Sequence, residues 1–186
     1  GNMAQALIGG LISRGLPPTR ITVSDPVEKV HSLLAEKEVN VTDDNRAAIK
    51  NADIVVFAVK PQVLAEVLKP LQGLLDGKLI ISIVAGAEIA TLSALLGTDR
   101  IVRVMPNTPA LVQTGAHGLF AKDEVKAEDR ELASQVLAST GLTIWVDSEA
   151  QIDAVTAVSG SGPAYFFYMM ESMIRAGKNL GLDEKV

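Results

Sequence analysis

Apolar positions along the chain switch between two spacings, one suited to helices and one to buried strands. Met3, Ala6, Leu7 and Leu11 fall on one face of a helix over Asn2–Arg14 that closes at Gly15. Arg20–Ser24 (RITVS) reads as a short β-branched strand, and Pro26 then opens a helix to Lys37 with Val27, Val30, Leu33 and Leu34 on one face. Val39–Thr42 is a further strand, and Asp43 or Asp44 caps a helix running to about Asn51. Asp53–Lys60 (DIVVFAVK) is apolar without alternation, as expected of a parallel strand covered on both faces, and Pro61 ends it and starts the next helix. Strands follow at Lys78–Ile83, Arg100–Met105, Ala116–Ala121 and Thr143–Val146, with helices near Glu88–Leu96 and Glu124–Ser139. Strands and helices alternating at this spacing predict βαβ units and an α/β, doubly wound sheet.

The pattern changes after Asp147. Tyr165–Tyr168 hold four of the seven aromatic residues, and Met169, Met170 and Met173 three of the five methionines. A helix from about Pro163 to Leu180 is then apolar nearly all round for three turns, and such a helix has to be enclosed. Too few residues follow position 150 to enclose it. The expectation is a division into residues 1–150 and 151–186, with the second unit continuing beyond Val186 or completed by a partner chain. The helix at residue 2 likewise reads as the second half of a strand–turn–helix unit whose strand precedes Gly1.

Composition narrows the chemistry. Lys and Arg number 17 against 22 Asp and Glu, a net charge of −5, which disfavours nucleic acid and anionic membrane as partners. With no cysteine there is no disulfide, thiol nucleophile or thiolate metal site, and His31 and His117 alone do not make a zinc site, so no metal is expected. The lack of cysteine fits a reducing compartment, and a cytoplasmic location is expected. The most apolar window, Leu79–Gly97, contains Glu88 and changes period halfway, so a strand, a glycine turn and a short helix describe it better than a membrane span.

Five segments could carry chemistry. Gly1-Asn2-Met3-Ala4 matches the second half of a G-x-G-x-x-G/A fingerprint: a glycine where a side chain would obstruct a pyrophosphate, then a helix N-terminus with free N–H groups. Asp25 lies 24 residues after Gly1, at a strand end, close to the usual offset of the acid that binds an adenosine ribose. Its alternative is a helix cap before Pro26. Adjacent Ser24, with Lys29 and Arg46 near in sequence, could instead serve a 2′-phosphate. Ala58-Val59-Lys60-Pro61 sits at the carboxyl end of the most apolar strand, where open α/β sheets bind ligands; a solvent-facing Lys is the plainer reading. Met105-Pro106-Asn107-Thr108-Pro109-Ala110 stiffens a polar pair between two prolines past another strand end, suited to a nicotinamide or substrate, or simply a turn. Ser159-Gly160-Ser161-Gly162 lacks the G-x-S-x-G frame of a hydrolase nucleophile, and neither His is obviously paired with it as a base.

Taken together, GNMAQALIGGL, FAVKPQ, SIVAGA, RVMPNTPALV and IDAVTAVSGSGPAYFF resemble pyrroline-5-carboxylate reductases in content, order and spacing along the whole chain. The resemblance implies a Rossmann-like domain followed by the start of an all-helical dimerisation domain that interlocks with a second subunit. It implies reduction of the C=N bond of 1-pyrroline-5-carboxylate to L-proline by NADP(H) or NAD(H), in a homodimer or higher homo-oligomer. By position, Gly1, Asn2 and Met3 resemble the pyrophosphate contacts, Ser24 and Asp25 the adenosine-ribose or 2′-phosphate contact, and Asn45 an adenosine neighbour. Ala58, Val59, Lys60 and Pro61, with Ile83, Val84 and Ala85, are similar to cofactor-lining segments, and Asn107 and Thr108 to part of a nicotinamide wall. The family's Ser-Pro-Gly-Gly-Thr-Thr stretch, which holds the substrate, is expected beyond Val186, so no catalytic residue is named.

Two other readings stand beside this one. A β-hydroxyacid dehydrogenase would need a Lys early on the helix after Gly162, where the sequence reads Ala164-Tyr165-Phe166-Phe167-Tyr168 and the first Lys is Lys178. A cofactor-binding or dimerisation module without turnover would share the aromatic helix.

Overall fold

The computed structural model describes every residue except Glu184 and Val186, which close the expected 151–186 unit and lie outside the described residues. Helix α1 (Asn2–Ser13) starts at Gly1 and ends where Gly15, at φ +93°, turns the chain. Strands β1 (Thr22–Ser24) and β2 (Asn40–Thr42) pair in parallel on either side of α2 (Glu28–Ala35), and α3 (Asn45–Ile49) leads on to β3 (Ile54–Phe57). Then come α4 (Leu64–Leu68), β4 (Leu79–Ser82), α5 (Ile89–Leu96), β5 (Ile101–Met105), β6 (Gly115–Ala121), α6 (Ala127–Ala138) and β7 (Gly141–Trp145). Helices α7 (Glu149–Val155) and α8 (Gly162–Asn179) end the described chain.

The main sheet has the order β3-β4-β5-β6-β7, while β1 and β2 form a separate parallel pair. β3, β4 and β5 run parallel, with Phe57 opposite Ser82 and Ser82 opposite Arg103. β6 reverses direction against β5, and β7 runs parallel to β6. The α/β sheet wound on both faces is thus found as expected, with one antiparallel step, between β5 and β6. The nine residues Pro106–Thr114 between β5 and β6 are too few for a parallel crossover, which takes a dozen or more.

Strand alternation sends side chains to two cores. On one face Val55, Phe57, Ile80 and Ile101 pack with Leu64 and Leu68 of α4 and Ile89, Leu92 and Leu96 of α5. On the other, Leu79, Ile81, Val102, Val104 and Leu119 pack with Leu7 of α1 and Ala133 and Leu137 of α6. Helix α1 also joins the two sheets, because Ile8 packs beside Leu34 and Val39 of the β1–β2 layer while Leu7 lies on the main sheet. At Gly10 it runs against the end of α6, where a Cβ would collide with the carbonyl of Ser139.

Several local expectations shift. Helix α2 begins at Glu28 rather than Pro26, because the Asp25 carboxylate accepts the Val27 amide at 2.9 Å and holds a turn there. Asp44, not Asp43, caps α3, accepting the Arg46 amide at 2.8 Å. Pro61 opens a 3₁₀ turn over Pro61–Val63 before α4 begins. Helix α7 and a π turn over Thr156–Gly160 were not anticipated. Helix α8 contains no buried residue, and Phe166 is 64% and Met173 65% exposed. Among the described residues nothing encloses it.

Candidate functional site

The carboxyl ends of β3, β4 and β5 are neighbours on one edge of the main sheet, so the segments after them lie side by side. Ala58 and Val59 are half-buried after β3, and the exposed Lys60 precedes the Pro61 turn. The Ile83 amide donates to the Phe57 carbonyl at 3.1 Å, which carries the pairing one residue past β4. Val84 turns back into the core, Ala85 is exposed, and Gly86 at φ +71° makes the turn toward α5. After β5 the chain runs through buried Pro106 and half-buried Asn107 to Thr108, which is exposed and opens a 3₁₀ turn. Three of the sequence-identified segments are therefore brought together.

The remaining expected residues arrive on α1 and the β1–β2 layer. Gly1 caps α1, no acidic residue occupies the first turn, and a Cβ built on Gly1 would meet nothing within 4 Å. The first intrahelical bond is donated by Gln5 to Gly1, which leaves the amides of Asn2, Met3 and Ala4 without a helical acceptor. Positive dipole, free N–H groups and open space together suit a phosphate. The half-buried Ser24 ends β1. Asp25 follows it, with one carboxylate oxygen on Val27 and its carbonyl accepting from His31 Nε2 at 2.5 Å. Both readings of Asp25 thus have a footing, since a turn-holding oxygen leaves the other oxygen of the same carboxylate. Asn45, half-buried, is the first residue of α3. Two surface hollows lie elsewhere: about 470 Å³ lined by residues that include Arg14, Gln113 and Ser139, and about 320 Å³ lined by residues that include Asp99, Arg100 and Asp129.

Beside this edge is a junction that the sequence did not reveal. Arg103 in the middle of β5 is 3% exposed and donates to Glu149 Oε1 at 3.1 Å and to Asp153 Oδ1 at 3.0 Å, both on α7. Glu149 Oε1 also accepts the Ile89 amide at 2.7 Å, so one carboxylate ties together β5, α5 and α7. Val155 covers Gly118 of β6, where a Cβ would come within 2.9 Å of it. Asn107 reaches from the β5 end to the π turn: its Nδ2 donates to Ser159 Oγ at 3.1 Å and its Oδ1 accepts the Ala116 amide at 2.9 Å. A signal for α7 was present in Ser148-Glu149-Ala150-Gln151, a capping box whose two reciprocal bonds are both formed. No local pattern marks Arg103, since its partners lie 46 and 50 residues on.

Among the described residues no helix is long and apolar enough to cross a membrane. The family model for NADP oxidoreductase, coenzyme F420-dependent, matches residues 1–86, and that for pyrroline-5-carboxylate reductase dimerisation matches 149–186. The pyrroline-5-carboxylate reductase of Pseudomonas aeruginosa is 49% identical over 188 residues, which cover 100% of this chain and 69% of that protein. The solved structure of the Coxiella burnetii pyrroline-5-carboxylate reductase superposes with a TM-score of 0.90 at 42% identity, over 100% of this chain and 70% of that one. A Plasmodium falciparum pyrroline carboxylate reductase solved with NADP bound superposes with a TM-score of 0.87 at 32% identity, over 100% and 69%. With the whole chain aligned at these identities, it belongs to the pyrroline-5-carboxylate reductase family of NAD(P)H-dependent oxidoreductases.

Proposed function

We propose that the N-terminus of α1, the tip of β1 and the carboxyl edge of β3–β5 form the NAD(P)H site of this reductase. Gly1, Asn2 and Met3 take the pyrophosphate, and Ser24 and Asp25 the adenosine ribose or its 2′-phosphate, with Asn45 beside the adenosine. Ala58–Pro61 and Ile83–Ala85 line the cofactor, and the segment carrying Asn107 and Thr108 walls the nicotinamide. The observation that carries this reading is the α1 N-terminus, with unused amides and no acidic residue in its first turn.

The reaction is reduction of 1-pyrroline-5-carboxylate to L-proline. A cyclic imine, once protonated, is an electrophile at its imine carbon, so the protein's task is to orient rather than to abstract a proton. When bound, the cofactor supplies the hydride. Residues 1–150 are the nucleotide-binding unit, and 151–186 begin a helical unit through which two copies assemble in the cytoplasm. The exposed Tyr165, Phe166, Met169 and Met173 of α8 support that assembly.

The test is cofactor binding by the full-length protein and by Gly1→Val and Asp25→Ala. Gly1→Val is expected to weaken NADPH at least tenfold, because the added side chain stands where the pyrophosphate approaches the backbone. Asp25→Ala is expected to shift the NADPH-to-NADH affinity ratio toward NADPH. An unchanged NADPH affinity in Gly1→Val would remove the α1 N-terminus from the site.

A further inference from the structure

We propose that Asn107 and Ser159 form a positioning pair that sets the distance across which hydride is transferred, by locking the start of the helical unit to the nicotinamide edge of the sheet. The proposal rests on the reductase reading and deepens it. The amide orientation of Asn107 follows from its partners. The Ala116 main-chain N–H can only donate, so Oδ1 must face it, and the NH₂ group is turned toward Ser159. That group reaches Ser159 Oγ at 3.1 Å and lies 3.4 Å from the Ser159 carbonyl. Both ends of the amide are thus used within the protein. Asn107 thereby holds the cofactor edge in place.

The other half of the pair is held in an unusual backbone. Ser159 lies in the π turn Thr156–Gly160, a conformation found mostly as single turns at functional sites. The turn is pressed against the same strand end, since a Cβ on Gly160 would come within 2.7 Å of Met105 Cε. Upstream of it, α7 is clamped to β5 by Arg103, Glu149 and Asp153. Downstream, the Ser161 amide donates to the Thr156 carbonyl at 2.8 Å, and α8 begins at Gly162. The chain therefore leaves the sheet at a clamped point and enters α8 at a bond made by Asn107. A small change at that bond re-aims α8 and everything attached to it. A displacement of about 1 Å in a reacting pair costs on the order of a hundredfold in rate.

Steady-state kinetics of the full-length enzyme, NADPH titration and hydrogen exchange test this on Ser159→Ala, Ser159→Thr, Asn107→Ala and the double variant. Ser159→Ala is expected to lower kcat about five- to tenfold with NADPH Kd within twofold, and Ser159→Thr, which keeps the hydroxyl, to recover at least half of the loss. Asn107→Ala is expected to lower kcat further and to speed exchange of the Ala116 amide, and in that background Ser159→Ala is expected to add nothing. The proposal is overturned by an unchanged kcat in Ser159→Ala, by multiplicative losses in the double variant, or by a loss in Asn107→Ala that appears in NADPH Kd instead of kcat. Wild-type turnover is the control: its absence would overturn the reductase reading itself, whereas active wild type with indifferent variants would overturn only the pair.

Discussion

The central strands and the first half of helix α8 are both rich in large apolar residues and opposite in fate. Leu79, Ile80, Ile81, Ile101 and Val102 are 0% exposed, whereas along α8 Tyr165, Phe166, Phe167 and Tyr168 are each more than half exposed. The strands are enclosed because the chain itself supplies a layer on each face, α4 and α5 on one and α1 and α6 on the other. Among the described residues no layer covers α8. Hydrophobic patterning states that a segment will be removed from water, and it does not state by what.

That contrast can be broken in graded ways. Leu79→Ala opens a cavity between two packed layers and is expected to cost about 3–5 kcal/mol in urea unfolding. Phe166→Ala is expected to stay within about 0.5 kcal/mol in the dissociated chain, as for other surface changes. Equal losses would abolish the distinction between the two regions. Arg103→Ala removes the buried partner of Glu149 and Asp153 and, since both carboxylates it leaves behind reach solvent, is expected to cost about 1–2 kcal/mol by the same measurement. Its tryptic cleavage is expected to begin between β7 and α8 if that clamp is what joins the helical unit to the sheet. Gly10→Ala forces a methyl group against the Ser139 carbonyl, and a loss of about 2 kcal/mol is expected where α1 meets the end of α6.

The smallest effect concerns His117, 1% exposed on β6, whose Nε2 bonds to Thr140 Oγ1 at 3.0 Å while Nδ1 has no partner among the described residues. Burial holds its pKa below the ordinary histidine value, with the Thr140 contact opposing. The unfolded chain then binds a proton that the folded chain does not. Its contribution is full above about pH 6.5 and is lost as pH falls from there toward the lowered native value. Unfolding of wild type and His117→Gln at pH 7.5 and 5.5 checks this, the variant being the less sensitive of the two.

Much of the site's framework was legible along the chain. Gly1, Ala58–Pro61 and Asn107 stand out as candidates because each follows or begins a regular element, and element ends in a parallel sheet share an edge, whereas Ile83–Ala85 came in through the family resemblance alone. The role of Asn107 was only half legible. A polar residue between prolines signals a rigid loop, but its partner Ser159 lies 52 residues away. The Arg103 clamp was hidden for the same reason. A single Arg in an apolar strand carries no mark of the carboxylates that will meet it. Nor did α8 differ in pattern from a core helix, although it ends exposed.

Local forces account for what the sequence settled unaided: the succession of strands and helices as far as β7, the α/β alternation, and the glycine and proline stops, all decided by φ/ψ limits and by side-chain periodicity within a few residues. The fold alone decided three things: the reversal of β6, the joining of β1–β2 to the main sheet through Leu7 and Ile8, and the meeting of Arg103 with α7 and of Asn107 with the π turn. Those depend on which distant surfaces bury one another, and burial is a property of the packed chain that no stretch of residues holds by itself.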